Sequence, residues 1–184
     1  MSHVVLLNGV SSVGKGSVAK ALQRIASRPM LHVQMDAFLE MMPPGSFGHP
    51  DGYRFDTSLD ETGLPVTAIT SGPILQTAMR GLRAAVAAMA DAGADLVVDE
   101  VIWNPSDLAD YRRRLAKHAF HAVGLFAPLE VIEAREQARG DRTLGLARWQ
   151  HDKVHSNMAH DLELDTSVAS PEALAGLIKE AFGL

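Results

Sequence analysis

The stretch Gly9-Val10-Ser11-Ser12-Val13-Gly14-Lys15-Gly16-Ser17 carries the most specific chemistry in the chain. Gly9 and Gly14 let the backbone curl without Cβ clashes, so successive N–H groups converge on one point. Lys15 brings a cation to that point. Converging amides and a cation bind an anion of phosphate geometry, and the pattern matches the P-loop, G-x-x-x-x-G-K-[ST], up to its last position. The amides from Gly9 to Gly16 would cradle the phosphates, and Lys15 would reach the β- and γ-phosphates. At the last position, where a hydroxyl residue holds magnesium, this chain has Gly16, with Ser17 one step later. The departure touches the metal assignment more than the nucleotide assignment, and Ser17 is the hydroxyl candidate. The plainer reading, an ordinary glycine-rich strand-to-helix turn, leaves the lysine in register unexplained.

Two acids are placed to work beside those phosphates. Met30-Leu31-His32-Val33-Gln34-Met35 reads as a strand ending at Asp36. In open α/β sheets, ligands sit outside the carboxyl ends of strands, so Asp36 stands where a substrate would meet the phosphates. The run Ala94-Asp95-Leu96-Val97-Val98 ends in Asp99-Glu100, like the Walker B strand whose first acid holds the magnesium shell. Such strands are common in α/β proteins, and the signal gains its weight from the P-loop. Arg135, Arg139 and Arg142 fall at i, i+4 and i+7, one helical face if the helix persists through Gly140. They could close over the phosphates as a lid and stabilise charge on the transferring group. A salt-bridged surface helix with Glu133, Glu136 and Asp141 fits the spacing equally, and the Gly140-Asp141 pair could act as a hinge. His151, His155 and His160 lack the H-E-x-x-H pattern and read as exposed or hydrogen-bonded histidines rather than metal ligands.

The elements that position these residues follow from periodicity. Val4-Val5-Leu6-Leu7 is a short buried strand, and Val18 to Ile25 continues the P-loop into a helix. A short helix after Asp36 stops at Pro43-Pro44. From there to about Gly72 the pattern dissolves into Pro, Gly, Asp and Thr, a structureless segment that either covers substrate or is a surface insertion. Helical spacing runs from Pro73 to Ala92, from Pro105 to Lys117 and beyond Pro128, and resumes from Thr143 to His155. Arg112, Arg113 and Arg114 point around their helix and read as a solvated surface. Ala119 to Phe126 is a buried strand, Asp161 to Thr166 alternates as an outer strand, and Ser170-Pro171 opens the last helix. The sum is a single α/β domain over residues 1–184, three-layered, with a mainly parallel sheet of about five strands.

Composition excludes several classes. A net charge of −5 and a pI near 5.9 give no basic face for nucleic acid. With no cysteine there is no disulfide, thiol nucleophile or cysteine-bound zinc. No apolar run approaches the ~20 residues that span a bilayer, and no leader pattern precedes the first strand, so a cytoplasmic enzyme is expected.

Taken in order, the motifs resemble the chloramphenicol phosphotransferase family of small P-loop kinases over most of the chain. The resemblance rests on Leu7-Asn8-Gly9 with Ser11, Ser12, Gly14 and Lys15, and on Asp36, Glu40 and Met42-Pro43. It continues through Asp99, Ala138-Arg139-Gly140-Asp141-Arg142, Val154-His155, and Asp161, Glu163 and Asp165-Thr166. It implies ATP and Mg2+ as cofactors and a small hydroxylated acceptor, with a chloramphenicol-like antibiotic favoured. It also implies Asp36 as the base for the acceptor hydroxyl and the arginine segment as the lid. Residues 44–72 are the least family-like part and would shape the acceptor pocket. A Lys-Gly-Ser ending, like the Lys-Gly-Thr of adenylate-kinase-type enzymes, keeps a nucleoside monophosphate or sugar-nucleotide kinase open. A non-catalytic nucleotide sensor stays open as well.

Overall fold

The structure, a computed structural model, describes residues 1–140 and 143–184. In chain order the elements are β1 (His3–Asn8), α1 (Lys15–Ile25), β2 (Met30–Gln34), α2 (Met35–Glu40), β3 (Tyr53–Leu59), β4 (Pro65–Ser71) and α3 (Pro73–Asp91). They continue with β5 (Asp95–Glu100), α4 (Pro105–Arg114), β6 (Ala119–Phe126), α5 (Leu129–Arg139), α6 (Leu146–His151), β7 (Leu162–Asp165) and α7 (Pro171–Phe182).

Val4 to Leu7 are apolar without alternation because β1 is covered on both faces, as central strands of parallel sheets are. Val5 and Leu7 pack with Val18 and Leu22 of α1, Ile132 of α5 and Ile178 of α7. Val4 and Leu6 pack on the other face with Leu82 and Val86 of α3 and Leu108 and Tyr111 of α4. Each such side chain contributes about 1.5–3 kcal/mol on full burial. The result is three layers around a five-stranded parallel sheet of order β2-β5-β1-β6-β7. Register then fixes the site: Leu7 and Gln34 both align with Asp99, and Asn8 aligns with Glu100. The P-loop, Asp36 and Asp99 therefore leave the sheet at one edge.

Four expectations are corrected. The segment between Pro43 and Gly72 is not structureless, since β3 and β4 pair as an antiparallel hairpin from Tyr53↔Ser71 to Leu59↔Pro65. It is turned by Asp60, whose Oδ1 accepts from the N–H groups of Thr62 at 2.8 Å and Leu64 at 3.0 Å. The helix from Pro105 ends at Arg114 rather than Lys117. The segment expected as one helix from Thr143 to His155 is helical only over α6. Finally, α5 stops at Arg139 because Gly140 adopts the left-handed conformation, φ 68°, that caps helices. Arg135 and Arg139 lie on α5, and Arg142, the third of the expected arginines, lies outside the described residues.

Candidate active site

The P-loop is held from behind. A Cβ on Gly9 would lie 2.8 Å from both the Leu125 carbonyl oxygen and Val13 Cγ1, so only glycine fits there. Asn8, fully buried, accepts from the Ile102 N–H at 2.8 Å and donates to the carbonyls of Ile102 and Val154 at 3.2 and 3.1 Å. Thr166 donates to the Val13 carbonyl at 2.7 Å, and Arg135 donates to Val13 O, Thr166 Oγ1 and Thr166 O. Arg135 thus braces the loop. Lys15, 8% exposed, donates to the carbonyls of Gly9 at 2.8 Å and Val10 at 3.0 Å.

Asp99 stands beside that lysine, with Oδ1 3.9 Å from Lys15 Nζ and Oδ2 3.7 Å from His32 Nε2. A Cβ at Gly16 would come within 3.3 Å of Asp99 Oδ2, so the missing side chain leaves room between the carboxylate and the start of α1. Asp99 and Ser17 line the same cavity, and carboxylate, hydroxyl and water oxygens are the donors that magnesium prefers. Glu100 borders the same cavity and is tied into a buried network. It accepts from the Tyr111 hydroxyl at 2.5 Å and lies 4.0 Å from Arg83, which pairs with Asp107 at 3.0 Å and Asp110 at 3.1 Å. Burial pushes the Glu100 carboxyl up to about 7, against the opposing pull of Tyr111 and Arg83.

One cavity of about 1260 Å3 joins the loop to an acceptor side. Ser11, Ser12, Gly14, Lys15, Gly16, Ser17, Asp99 and Arg139 line one end. Asp36, half-buried in the first turn of α2, lines it together with Tyr53 and Phe55 of the hairpin, Phe47 and Trp103. Phe47, Tyr53 and Phe55 pack edge to face at 5.2–5.6 Å. Burial, and then the neighbouring Asp36 carboxylate, raise the Tyr53 hydroxyl above its ordinary value. His155 lies elsewhere. Stacked on Phe126 at 3.8 Å and within 3.1 Å of the Leu125 carbonyl, it lines a separate cavity of about 200 Å3 with Val10 and Ile132. Burial pushes it down to about 4, so it is neutral at pH 7.

The turn after α5 is fastened on two sides. Glu136, 2% exposed, accepts from the N–H groups of Gly145 at 2.8 Å and Ala147 at 2.9 Å, which anchors the start of α6. Thr67 of the hairpin donates its N–H to the Gly145 carbonyl at 3.0 Å and its hydroxyl to the Leu144 carbonyl at 2.7 Å. Glu136→Ala strands two buried N–H groups and is expected to cost about 3 kcal/mol. Thermal unfolding should show a loss of roughly 6–12 °C in Tm. Glu136→Gln keeps one acceptor oxygen and should lose about half as much. Sequence spacing had offered Glu136 only as a surface partner. His32, Arg83 and Gln150 carried no signal, because their partners lie far away in sequence.

A nucleotide-phosphate loop and a Walker-type acid at the edge of a five-stranded parallel sheet define a P-loop kinase fold. Solved structures agree. The Mycobacterium tuberculosis APS kinase, in complex with AMPPNP and APS, superposes with a TM-score of 0.68 at 18% identity, covering 100% of this chain and 98% of that one. A sugar kinase from Janibacter gives 0.65 at 18% identity over 100% and 95%, and the tunicamycin resistance protein of Deinococcus radiodurans gives 0.66 at 17% over 100% and 97%. The chain belongs to the chloramphenicol phosphotransferase-like protein family, whose profile matches residues 2–183. A Mycobacterium tuberculosis protein named "Putative O-phosphotransferase", present in two strains, is 33% identical over 183 residues, covering 97% of this chain and 81% of its own length. The protein is accordingly a small-molecule kinase. Among the described residues no helix is long and apolar enough to cross a membrane.

Proposed function

We propose that this kinase transfers the γ-phosphoryl group of ATP to a hydroxyl of a small molecule, with a chloramphenicol-like antibiotic as the favoured acceptor. The observation that carries the reading is the shared cavity, with Lys15 and the loop amides at one end and Asp36 beneath an aromatic wall at the other. Asp36 orients the acceptor hydroxyl and takes its proton as the oxygen bonds to phosphorus and the bond to ADP breaks. Lys15 and the amides from Gly9 to Gly16, apart from the Ser11 N–H that Gln150 accepts, hold the phosphates. Magnesium, when bound, neutralises charge on the β- and γ-oxygens. Asp99 and Ser17 are the side chains that would hold it. Arg139 lines the phosphate end and is the candidate to offset transition-state charge, with Arg142 as a second candidate from sequence spacing. Arg135 acts through the loop it braces. The hairpin and the segment from 135 to 150 form the cover of the site.

The test is ADP release from ATP and magnesium with chloramphenicol, hydroxylated antibiotics, sugars and nucleoside monophosphates as separate acceptors. Stimulation by chloramphenicol, with a phosphate gained by mass, supports the favoured acceptor. Stimulation by a nucleoside monophosphate or sugar alone would move the acceptor class and leave the roles of Lys15 and Asp36 standing.

A further inference from the structure

The geometry points to Gln150 as a direct donor, through its side-chain Nε2, to the transferring phosphoryl group. Gln150 lies on α6 and is 3% exposed, yet it lines the cavity between the P-loop and the acceptor side. Its Oε1 accepts from the Ser11 N–H at 2.7 Å. An N–H can only donate, so this bond fixes which arm of the carboxamide is oxygen and leaves Nε2 as the other arm. Among the described residues that nitrogen has no hydrogen-bond partner. The residue is otherwise enclosed, and this arm is the one that reaches the cavity, where a ligand can supply the acceptor.

The position favours the phosphate that meets the acceptor. Lys15 reaches the β- and γ-phosphates from the start of α1, and Gln150, held on the Ser11 N–H of the same loop, lines the same cavity as Arg139, the arginine assigned to the transferring group. Trp149, adjacent to Gln150, packs edge-on at 5.7 Å against Trp103 of the same cavity, so α6 spans from the loop toward the acceptor side. The mount is firm, as a group that touches a transition state requires. Glu136 caps α6, Thr67 holds Leu144 and Gly145, and Arg148 lies 3.1 Å from Asp60 of the hairpin turn and 2.6 Å from Glu133. Nothing in the sequence pattern, in the family description or in the roles assigned above uses this residue.

The inference rests on the kinase reading of the cavity, and the experiment separates the two. Mg-ADP and Mg-AMP-PNP are titrated calorimetrically into the full chain and into Gln150→Ala and Gln150→Glu. Glutamate keeps an oxygen for the Ser11 N–H and removes only the donor. In Gln150→Ala, affinity for AMP-PNP should fall about tenfold while that for ADP stays within about twofold, the weight of one hydrogen bond to a charged group. In Gln150→Glu, the preference for AMP-PNP over ADP should fall further, because a carboxylate faces the added phosphate. Equal weakening of both nucleotides in both variants would reduce Gln150 to a support of the loop and overturn the inference alone. So would an unchanged preference. If the wild-type chain bound neither nucleotide, the kinase reading would fall and take the inference with it.

Discussion

Asp36→Asn is expected to lower acceptor phosphorylation by roughly 10²–10⁴-fold, the range spanned by loss of a general base. Nucleotide affinity should stay within about twofold, because the carboxylate is assigned to the acceptor and not to the phosphates. Asparagine keeps the size and one acceptor oxygen of aspartate and can still hold a hydroxyl, but it cannot take the proton. The loss should therefore appear in kcat, with little change in acceptor KM. Register explains why this acid is the candidate. β2 runs parallel to β5, Gln34 pairs with Asp99, and α2 begins directly afterwards, so Asp36 emerges beside the acid proposed for the metal shell. Tyr53 of the hairpin is near enough for Asp36 to raise its hydroxyl, so the same carboxylate faces the aromatic wall. A coupled assay of ADP release checks the expectation. Turnover within about threefold of wild type would remove Asp36 as the base and turn attention to whatever else lines the acceptor side.

What could be read from the sequence was local. The P-loop, its strand and its helix are adjacent in the chain, and Asp36 and Asp99-Glu100 stand just beyond or at the ends of strands of five and six residues. Parallel order follows from alternating strands and helices. The hairpin was missed because its strands stand off the main sheet and β3 is mostly exposed, which removes the apolar alternation. Its turn was nevertheless legible: Asp60-Glu61-Thr62-Gly63 has the side-chain acceptor and the glycine such turns use. The condition set on the arginine face, that its helix persist through Gly140, is not met, because that glycine caps α5. Gln150 and Arg135 reach the loop from 139 and 122 residues away, and Thr166 from 153. No periodicity within a single element records such contacts. The site is thus a readable centre held by an unreadable frame, because packing partners in an α/β fold are chosen by topology and not by neighbourhood in the chain.

Lys15→Met should remove activity by roughly 10³-fold or more, since the lost group is a charged donor to the oxygens on which transition-state charge develops. Unlike Asp36→Asn, it should also weaken ATP binding by about ten- to a hundredfold, the weight of one or two charge-assisted hydrogen bonds. Methionine matches lysine in length and fits the same buried slot. It removes a donor from the carbonyls of Gly9 and Val10 and a cation 3.9 Å from Asp99. Lys15→Arg keeps the charge but not the activity, because a planar fork cannot replace a compact ammonium that meets two carbonyls at 2.8 and 3.0 Å. Thermal shift with Mg-ATP separates the two roles. A ligand stabilises the fold by RT ln(1 + [L]/Kd), so at fixed nucleotide the rise in Tm reports affinity directly. That rise should persist in Asp36→Asn, which would bind without turning over, and shrink in Lys15→Met, which would do neither well. Were the rise equally large in Lys15→Met, the cation would not be reaching the phosphates. The amides of the loop and the N-terminus of α1 would then have to hold them unaided.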